Sequence, residues 1–381
     1  KNINKEIKKF IEVCEDKTPN QVKLNKILMI VLPAILIAVL ALCLIGINRA
    51  FYFNVLKVVI IINLLLAFLN MQKSTSILLP IGDFYKNIKV YENIFKEIDK
   101  QDFESSYLKE LKEGLNKDGG SLKAIKELKK IGSYIDLRQN FVANIILNAI
   151  VLWDFYCIDM FDKWKKSYGK NIRTYLEIVG EIEALISLAS ITYVRDDYTF
   201  AKVSECNDLK PEIDFKNLKH PLIKIEDAVG NGITLKGQTC VITGSNMSGK
   251  TTFLRSIGIN LVLSYAGGPA LASEFKTSVM KVLTSIRVED NVNKGISTFY
   301  AELLRIKDMT EYNKNKMPMI CLIDEIFKGT NSADRIICAT EAIKKLSQPW
   351  SITLVSTHDF ELCNLENDDN INAVNYHFAE Y

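Results

Sequence analysis

Hydrophobic and polar positions follow three different patterns along this chain. The run ILMIVLPAILIAVLALCLIGI, from Ile27 to Ile47, holds 21 residues without one charged side chain. As a helix rising ~1.5 Å per residue it is about 30 Å long, the thickness of a bilayer's hydrocarbon core. A cleaved signal peptide has a shorter apolar stretch and starts earlier, so this segment predicts a membrane span. Asn48–Arg49 breaks the run, and Phe51 to Leu69 is apolar again except for Asn54, Lys57 and Asn63. A second span is expected there, closing a hairpin over 27–70, with Lys57 near one end reaching toward the headgroups.

The second pattern is amphipathic and helical, from about Phe84 to Val203. IFKEIDK and YLKELKEGLNK set apolar residues at i, i+3 and i+4 with charges between them. Asp118–Gly119–Gly120 marks a turn, and SLKAIKELKKIGSYIDL resumes the period. Phe141 to Phe161 is apolar enough to suggest a third span, but Asn144, Asn148, Asp154 and Asp159 interrupt it, and each is costly in lipid. One buried helix of the middle region is expected instead. The third pattern begins near Lys216. Short β-branched or fully apolar runs (Thr239–Thr243, PMICLIDE, SITLVS) alternate with helical stretches, as in a parallel sheet buried on both faces.

Composition adds less. A chain of 381 residues has room for two or three domains with cores of their own. A net charge of +3 makes no electrostatic case for nucleic acid, and none against a local basic patch. Seven lysines precede Ile27, whereas the turn between the apolar runs has only Arg49. The positive-inside rule therefore puts residues 1–26 and everything after the hairpin in the cytoplasm. Eight cysteines without a C-x-x-C pair read as buried free thiols in a reducing compartment, and three histidines are too few for a His/Cys zinc site.

The candidate chemistry lies in the third region. CVITGSNMSGKTTFLRSIGINLVL contains G-x-x-x-x-G-K-T, with a strand pattern before it and a helical pattern after it. The loop residues Gly244, Ser245, Asn246, Met247, Ser248, Gly249, Lys250, Thr251 and Thr252 are expected to bind Mg-ATP. Backbone N–H groups and the helix N-terminus would meet the phosphates. Lys250 would reach the β- and γ-phosphates, and Thr251 would be a Mg²⁺ ligand. Downstream, the apolar strand PMICLI ends in Asp324–Glu325, where α/β sheets bind their ligands. Asp324 is expected to hold Mg²⁺ and Glu325 to orient or deprotonate the attacking water. SITLVSTHDFEL ends a third strand in Thr357–His358–Asp359, which makes His358 a γ-phosphate contact.

Together these motifs resemble the MutS family of ABC-type ATPases. GSNMSGKTTFLR, with Asn246–Met247 inside the loop, is similar to the family's own version of the motif. GISTFYAELLRI resembles a family segment whose serine reaches a dimer partner's ATP, which implies that role for Ser297. DEIFKGTNSAD resembles the acidic pair and dimer-contacting loop, carrying over to Gly329, Thr330 and Asp334. STHDFEL resembles the switch-histidine segment, LKHPLI (His220–Pro221) the opening of the ATPase domain, and EALISLASITYVRDDYTFAKV the helical core and lever. The resemblance covers roughly 85–381. It implies an α/β P-loop ATPase domain over 216–381, behind an all-α core/lever domain over 85–215 and a linker over 71–84. It also implies a homodimer, double-stranded DNA as a partner, and a bacterial cell membrane, as in membrane-associated MutS-like proteins.

The departures bear on function. Mismatch-repair members carry an N-terminal α/β domain whose Phe-x-Glu motif wedges into DNA; here a membrane hairpin stands in that place. Phe95–Lys96–Glu97 fits the string but lies in an amphipathic helix, and with 18 phenylalanines about one chance match is expected. The strands and helix-turn-helix that end the family's ATPase domain are not seen before Tyr381. Two functions follow: an ATPase clamp on DNA, or an ATP-driven switch acting on a membrane or protein partner without DNA. A transporter half is excluded, because two spans are too few for a translocation path and Leu-Ser-Gly-Gly-Gln is absent.

Overall fold

The computed structural model describes residues 3–16, 20, 23–46, 48–206, 209–286, 298–327 and 331–379. The chain divides into two compact units, Lys1–Ala184 and Leu185–Tyr381.

The first unit is helical: α1 (Ile3–Glu15), α2 (Lys23–Ile45), α3 (Arg49–Tyr85), α4 (Ile88–Lys100), α5 (Ser106–Asn116), α6 (Ser121–Asp136), α7 (Phe141–Val151), α8 (Trp153–Tyr168) and α9 (Ile172–Val194), whose last turns cross into the second unit. α2 and α3 form an antiparallel hairpin turned at Gly46, where φ is +91°. Both are long and apolar enough to cross a membrane. Ile27, Ile30, Ile37, Leu44, Phe51 and Phe68 are all exposed, which aqueous folding alone would not favour. The stretch 71–84, expected to link the hairpin to the helical region, is the last part of α3 itself. That part changes environment. Ile77, Leu78, Ile81 and Phe84 leave the exposed belt and enter a core with Phe95, Ile125, Leu128, Phe161 and Trp164. Phe10 of α1 closes this core by stacking on Phe84, with centroids 4.1 Å apart.

The expected single buried helix over 141–161 is corrected by the structure. It is two helices, broken at Leu152 (φ 52°). α8 is buried as expected; α7 shows an apolar face to its surroundings. The break is stabilised by polar groups that a linear reading treats as mere interruptions. Asn148 Oδ1 accepts the Asp154 N–H at 3.1 Å, and the Arg138 guanidinium reaches Asp154 Oδ1 at 3.1 Å and Thr75 Oγ1 at 2.7 Å.

The second unit is α/β. Its smaller sheet runs β1 (Lys202–Ser204), β5 (Glu274–Ser278), β2 (Glu212–Leu218), β3 (Asn231–Lys236) in spatial order. The larger sheet is parallel throughout, in the order β6 (Lys281–Ser285), β7 (Met319–Asp324), β8 (Ser351–Ser356), β4 (Thr239–Gly244), β9 (Ala373–Phe378). Side chains alternate between two cores, as the two-residue strand period requires. Cys240, Ile242, Ile320, Leu322, Ile352 and Leu354 pack with Phe253, Leu254, Ile257 and Leu261 of α10 (Lys250–Tyr265). Val241, Cys321, Ile323 and Val355 pack on the opposite face with α11 (Thr298–Asn313) and α12 (Ser332–Leu346). Fully apolar strands are therefore what this sheet needs.

All eight cysteines are free. Cys14, Cys157, Cys240 and Cys321 are buried as expected, and burial pushes the last three thiols up to about 12. Cys43, Cys206 and Cys363 are only partly buried and Cys338 is exposed, which departs from the expectation.

Candidate functional site

Three neighbouring parallel strands, β7, β8 and β4, end at the same edge of the larger sheet. Each delivers one of the segments singled out in the sequence.

β4 ends in Gly244, and 245–249 turn the chain into α10, which begins at Lys250. A Cβ on Gly244 would lie 2.6 Å from the carbonyl oxygen of Phe378, so β9 passes too close for any side chain. Gly249 has φ 98° at the position preceding α10, a conformation only glycine adopts without cost. Met247 is also left-handed, at φ 67°, with its side chain fully in solvent. Asn246 and Ser245 are exposed in the same turn. This backbone brings the start of α10, whose first N–H groups have no partner within the helix, to the sheet edge.

The Lys250 side chain is buried and folded back over the loop, donating to the carbonyl oxygens of Gly244 at 2.9 Å and Ser245 at 2.6 Å. Burial pulls its pKa below the usual lysine range, while Glu325 and Asp324 oppose that shift. The Thr251 hydroxyl donates to both carboxylate oxygens of Asp324, at 3.0 and 2.9 Å, across the gap between α10 and the end of β7. Thr252 is exposed one residue further on. Ser248 Oγ is buried without a hydrogen-bond partner among the described residues.

Beyond Asp324 the backbone turns sharply. Glu325 has φ 53° and Phe327 φ 58°, left-handed conformations costing on the order of 1–3 kcal/mol each for side chains of this size. Burial of Ile326 and Phe327, and the Glu325 N–H on the Ser356 carbonyl at 3.0 Å, hold the turn. His358 Nε2 then lies 3.3 Å from Glu325 Oε1, an ion pair whenever the imidazole is protonated. Asn246, Glu325, Thr357, His358 and Asp359 line a cavity of about 270 Å³.

The structure thus brings Lys250, Thr251, Asp324, Glu325 and His358 together with the 244–249 loop. Ser297, Gly329 and Thr330 lie outside the described residues. Asp334 is exposed in the first turn of α12. His220 is half-buried, and its Nδ1 accepts the Leu222 N–H at 3.2 Å in a turn of its own. Two members of the site escaped the sequence reading. Ser356, the last residue of β8, donates to Asp324 Oδ1. Arg335 pairs with Asp359 through two bonds of 2.9 and 2.6 Å, fixing the segment that carries His358. A polar residue ending an apolar strand beside Thr-His-Asp was the available signal for Ser356. Nothing in the linear sequence joins Arg335 to Asp359.

Residues 240–380 match the family model described as MutS domain V. A DNA mismatch repair protein MutS of Thermus caldophilus is 30% identical over 200 residues, covering 51% of this chain and 23% of that protein. One from Carboxydothermus hydrogenoformans is 28% identical over 210 residues, 53% of this chain and 24% of the relative. The DNA mismatch repair protein MSH3 of Vanderwaltozyma polyspora is 34% identical over 166 residues, 41% of this chain and 15% of the relative. The chain therefore spans a quarter or less of the length of these relatives.

Proposed function

We propose that this chain is a membrane-tethered MutS-like ATPase of the ABC type that binds and hydrolyses Mg-ATP at the 244–252 loop, works as a dimer, and couples nucleotide turnover to double-stranded DNA. The observation that carries the reading is the meeting of Thr251 and Asp324 beside Lys250, with Glu325 and His358 next to them. Oxygen donors of this kind suit Mg²⁺. Among the described residues the Ser248 hydroxyl has no partner and the Lys250 ammonium bonds its own loop's carbonyls, groups that phosphate oxygens can take over. Thr251 and Asp324 would hold the metal, which when bound neutralises charge on the phosphates.

In this reading Lys250 leaves the Gly244 and Ser245 carbonyls for the β- and γ-phosphates. Glu325 accepts a proton from, or orients, the attacking water, and its left-handed backbone aims the carboxylate away from the strand. His358 contacts the γ-phosphate and senses its loss through Glu325. Ser297 of one protomer completes the other's site. α2 and α3 hold the ATPase at the inner face of a bacterial membrane. The relatives named as mismatch repair proteins support a DNA role. Phe95, which the Phe-x-Glu string marks, is buried in the helical core with its ring edge-on to Tyr175.

That last observation, with the hairpin, favours a second reading: the same ATP cycle switches a membrane or protein partner and DNA is not involved. ATP hydrolysis by the full chain, at low salt with and without duplex, mismatched and branched DNA, separates the two. Stimulation by DNA that weakens as salt rises is expected for a clamp. A rate indifferent to all three DNAs, with none retained, removes the DNA coupling.

A further inference from the structure

We propose that α7 is a third membrane element: a short helix that lays its outer face into the hydrocarbon of the cytoplasmic leaflet, beside the hairpin, and leaves on the side it entered. The proposal rests on reading α2 and α3 as membrane spans.

α7 is inside-out compared with an amphipathic helix in water. Phe141, Val142, Ile145, Ile146 and Ile150 fall on one half of the helix and are all exposed, Phe141 by 75% and Val142 by 63%. The amides occupy the other half. Asn148 is buried, donating to Asn144 Oδ1 at 2.8 Å and accepting the Asp154 N–H at 3.1 Å. Asn63, buried in α3, donates to the Ala149 carbonyl at 2.7 Å and so satisfies an acceptor in the last turn of α7. Where water surrounds a helix, amides face out and isoleucines face in. The reverse is favoured where the surrounding medium is hydrocarbon, which offers an amide or carbonyl no hydrogen-bond partner.

Position and length name the medium as lipid. α7 packs on both α2 and α3, so its outer face continues the exposed apolar surface of the hairpin. Lys26, near the start of α2, pairs with Asp159 of α8 at 3.1 Å, and Lys163 joins the same carboxylate at 2.8 Å. α8 therefore lies at the cytoplasmic mouth of the hairpin. Eleven residues make α7 about 16 Å long, half of what a span requires. Asp154, Asp159, Asp162, Lys163, Lys165 and Lys166 keep α8 out of the hydrocarbon. The axis turns by 82° at the break, so α7 and the charged α8 do not continue as one straight span.

The test places a benzophenone amino acid at Ile146, at Ile37 in the hairpin, or at Lys130 on the exposed face of α6, in the full chain reconstituted into phosphatidylglycerol/phosphatidylcholine vesicles. All three side chains are exposed, so none of the substitutions disturbs a core. After irradiation, mass spectrometry is expected to show a shift of one phospholipid at Ile146 and at Ile37, and none at Lys130. Lipid capture at Ile37 with none at Ile146, or with protein adducts at Ile146, overturns the α7 proposal and leaves the hairpin standing. Lipid capture at neither position overturns the hairpin reading and this one with it.

Discussion

At the scale of single residues, the site depends on a few charge-assisted contacts. Lys250 is buried over its own loop, so its ammonium has little to bind except the two carbonyls it already holds. Removing it deletes hydrogen bonds worth about 1.5–3 kcal/mol each when one partner is charged. Lys250→Ala is therefore expected to weaken ATP binding by about tenfold or more, as measured by fluorescent-nucleotide titration. Ser356 supports Asp324 from β8. Ser356→Ala is expected to raise the Mg²⁺ concentration for half-maximal ATPase while the protein remains folded; an unchanged Mg²⁺ requirement would remove Ser356 from the metal's support. Local motif spacing made Lys250, Thr251, Asp324 and His358 legible, because loop, strand end and acidic pair are each contiguous. Ser356 and Arg335 were hidden, since their roles come from strand neighbours and from a bond spanning residues 335 to 359.

At the scale of elements, the helical unit is fixed by close approach and by a buried carboxylate. α6 passes so near Tyr85 that a Cβ on Gly132 would collide with the ring and with Tyr85 Cβ. Gly132→Ala is expected to cost about 1–3 kcal/mol by overpacking, despite alanine's better helix propensity, and a denaturant midpoint reads it. Glu92, buried on α4, accepts from Lys129 and Lys96 at 2.6 and 2.7 Å. These bonds hold its carboxyl down at about 2, against an ordinary 4.5. Its folded-state pKa is lowered, so its stabilisation is fully present above pH 4.5 and is lost as pH falls through about 2. Glu92→Gln should be less stable than the parent at neutral pH, with the gap closing over that window in urea melts at stepped pH. A gap constant down to pH 2 would contradict this. Apolar periodicity made most elements readable, including the strand behind Asp324–Glu325. It failed at 141–161. Asn148 and Asp154 look like blemishes in one helix, but they bond to each other across a break and stabilise it. Only the third dimension shows Arg138 meeting Asp154, and Asn63 bonding the carbonyl of Ala149 next to Asn148.

At the scale of the whole chain, an apolar hairpin stands ahead of an α/β unit whose strand ends collect the nucleotide motifs. The hairpin and the larger sheet place their apolar side chains differently. α2 and α3 expose isoleucine and leucine along much of their length, while the larger sheet of the second unit hides its inner strands β4, β7 and β8 between helices. That contrast was legible because charge-free runs and strand-length apolar runs differ in length alone. The physiological partner was not, since a phosphate loop specifies nucleotide and leaves its coupling open. In the proposed cycle Glu325 acts on water at a Mg-ATP site formed with Lys250, Thr251 and Asp324. The measurement that tests it most directly is ATP binding and steady-state turnover of the membrane-reconstituted chain beside its Glu325→Gln variant. Comparable ATP affinity is expected for both, with turnover in the variant reduced by roughly 10²-fold or more. Equal turnover in the two proteins, or an absence of ATP binding by the parent chain, would contradict it.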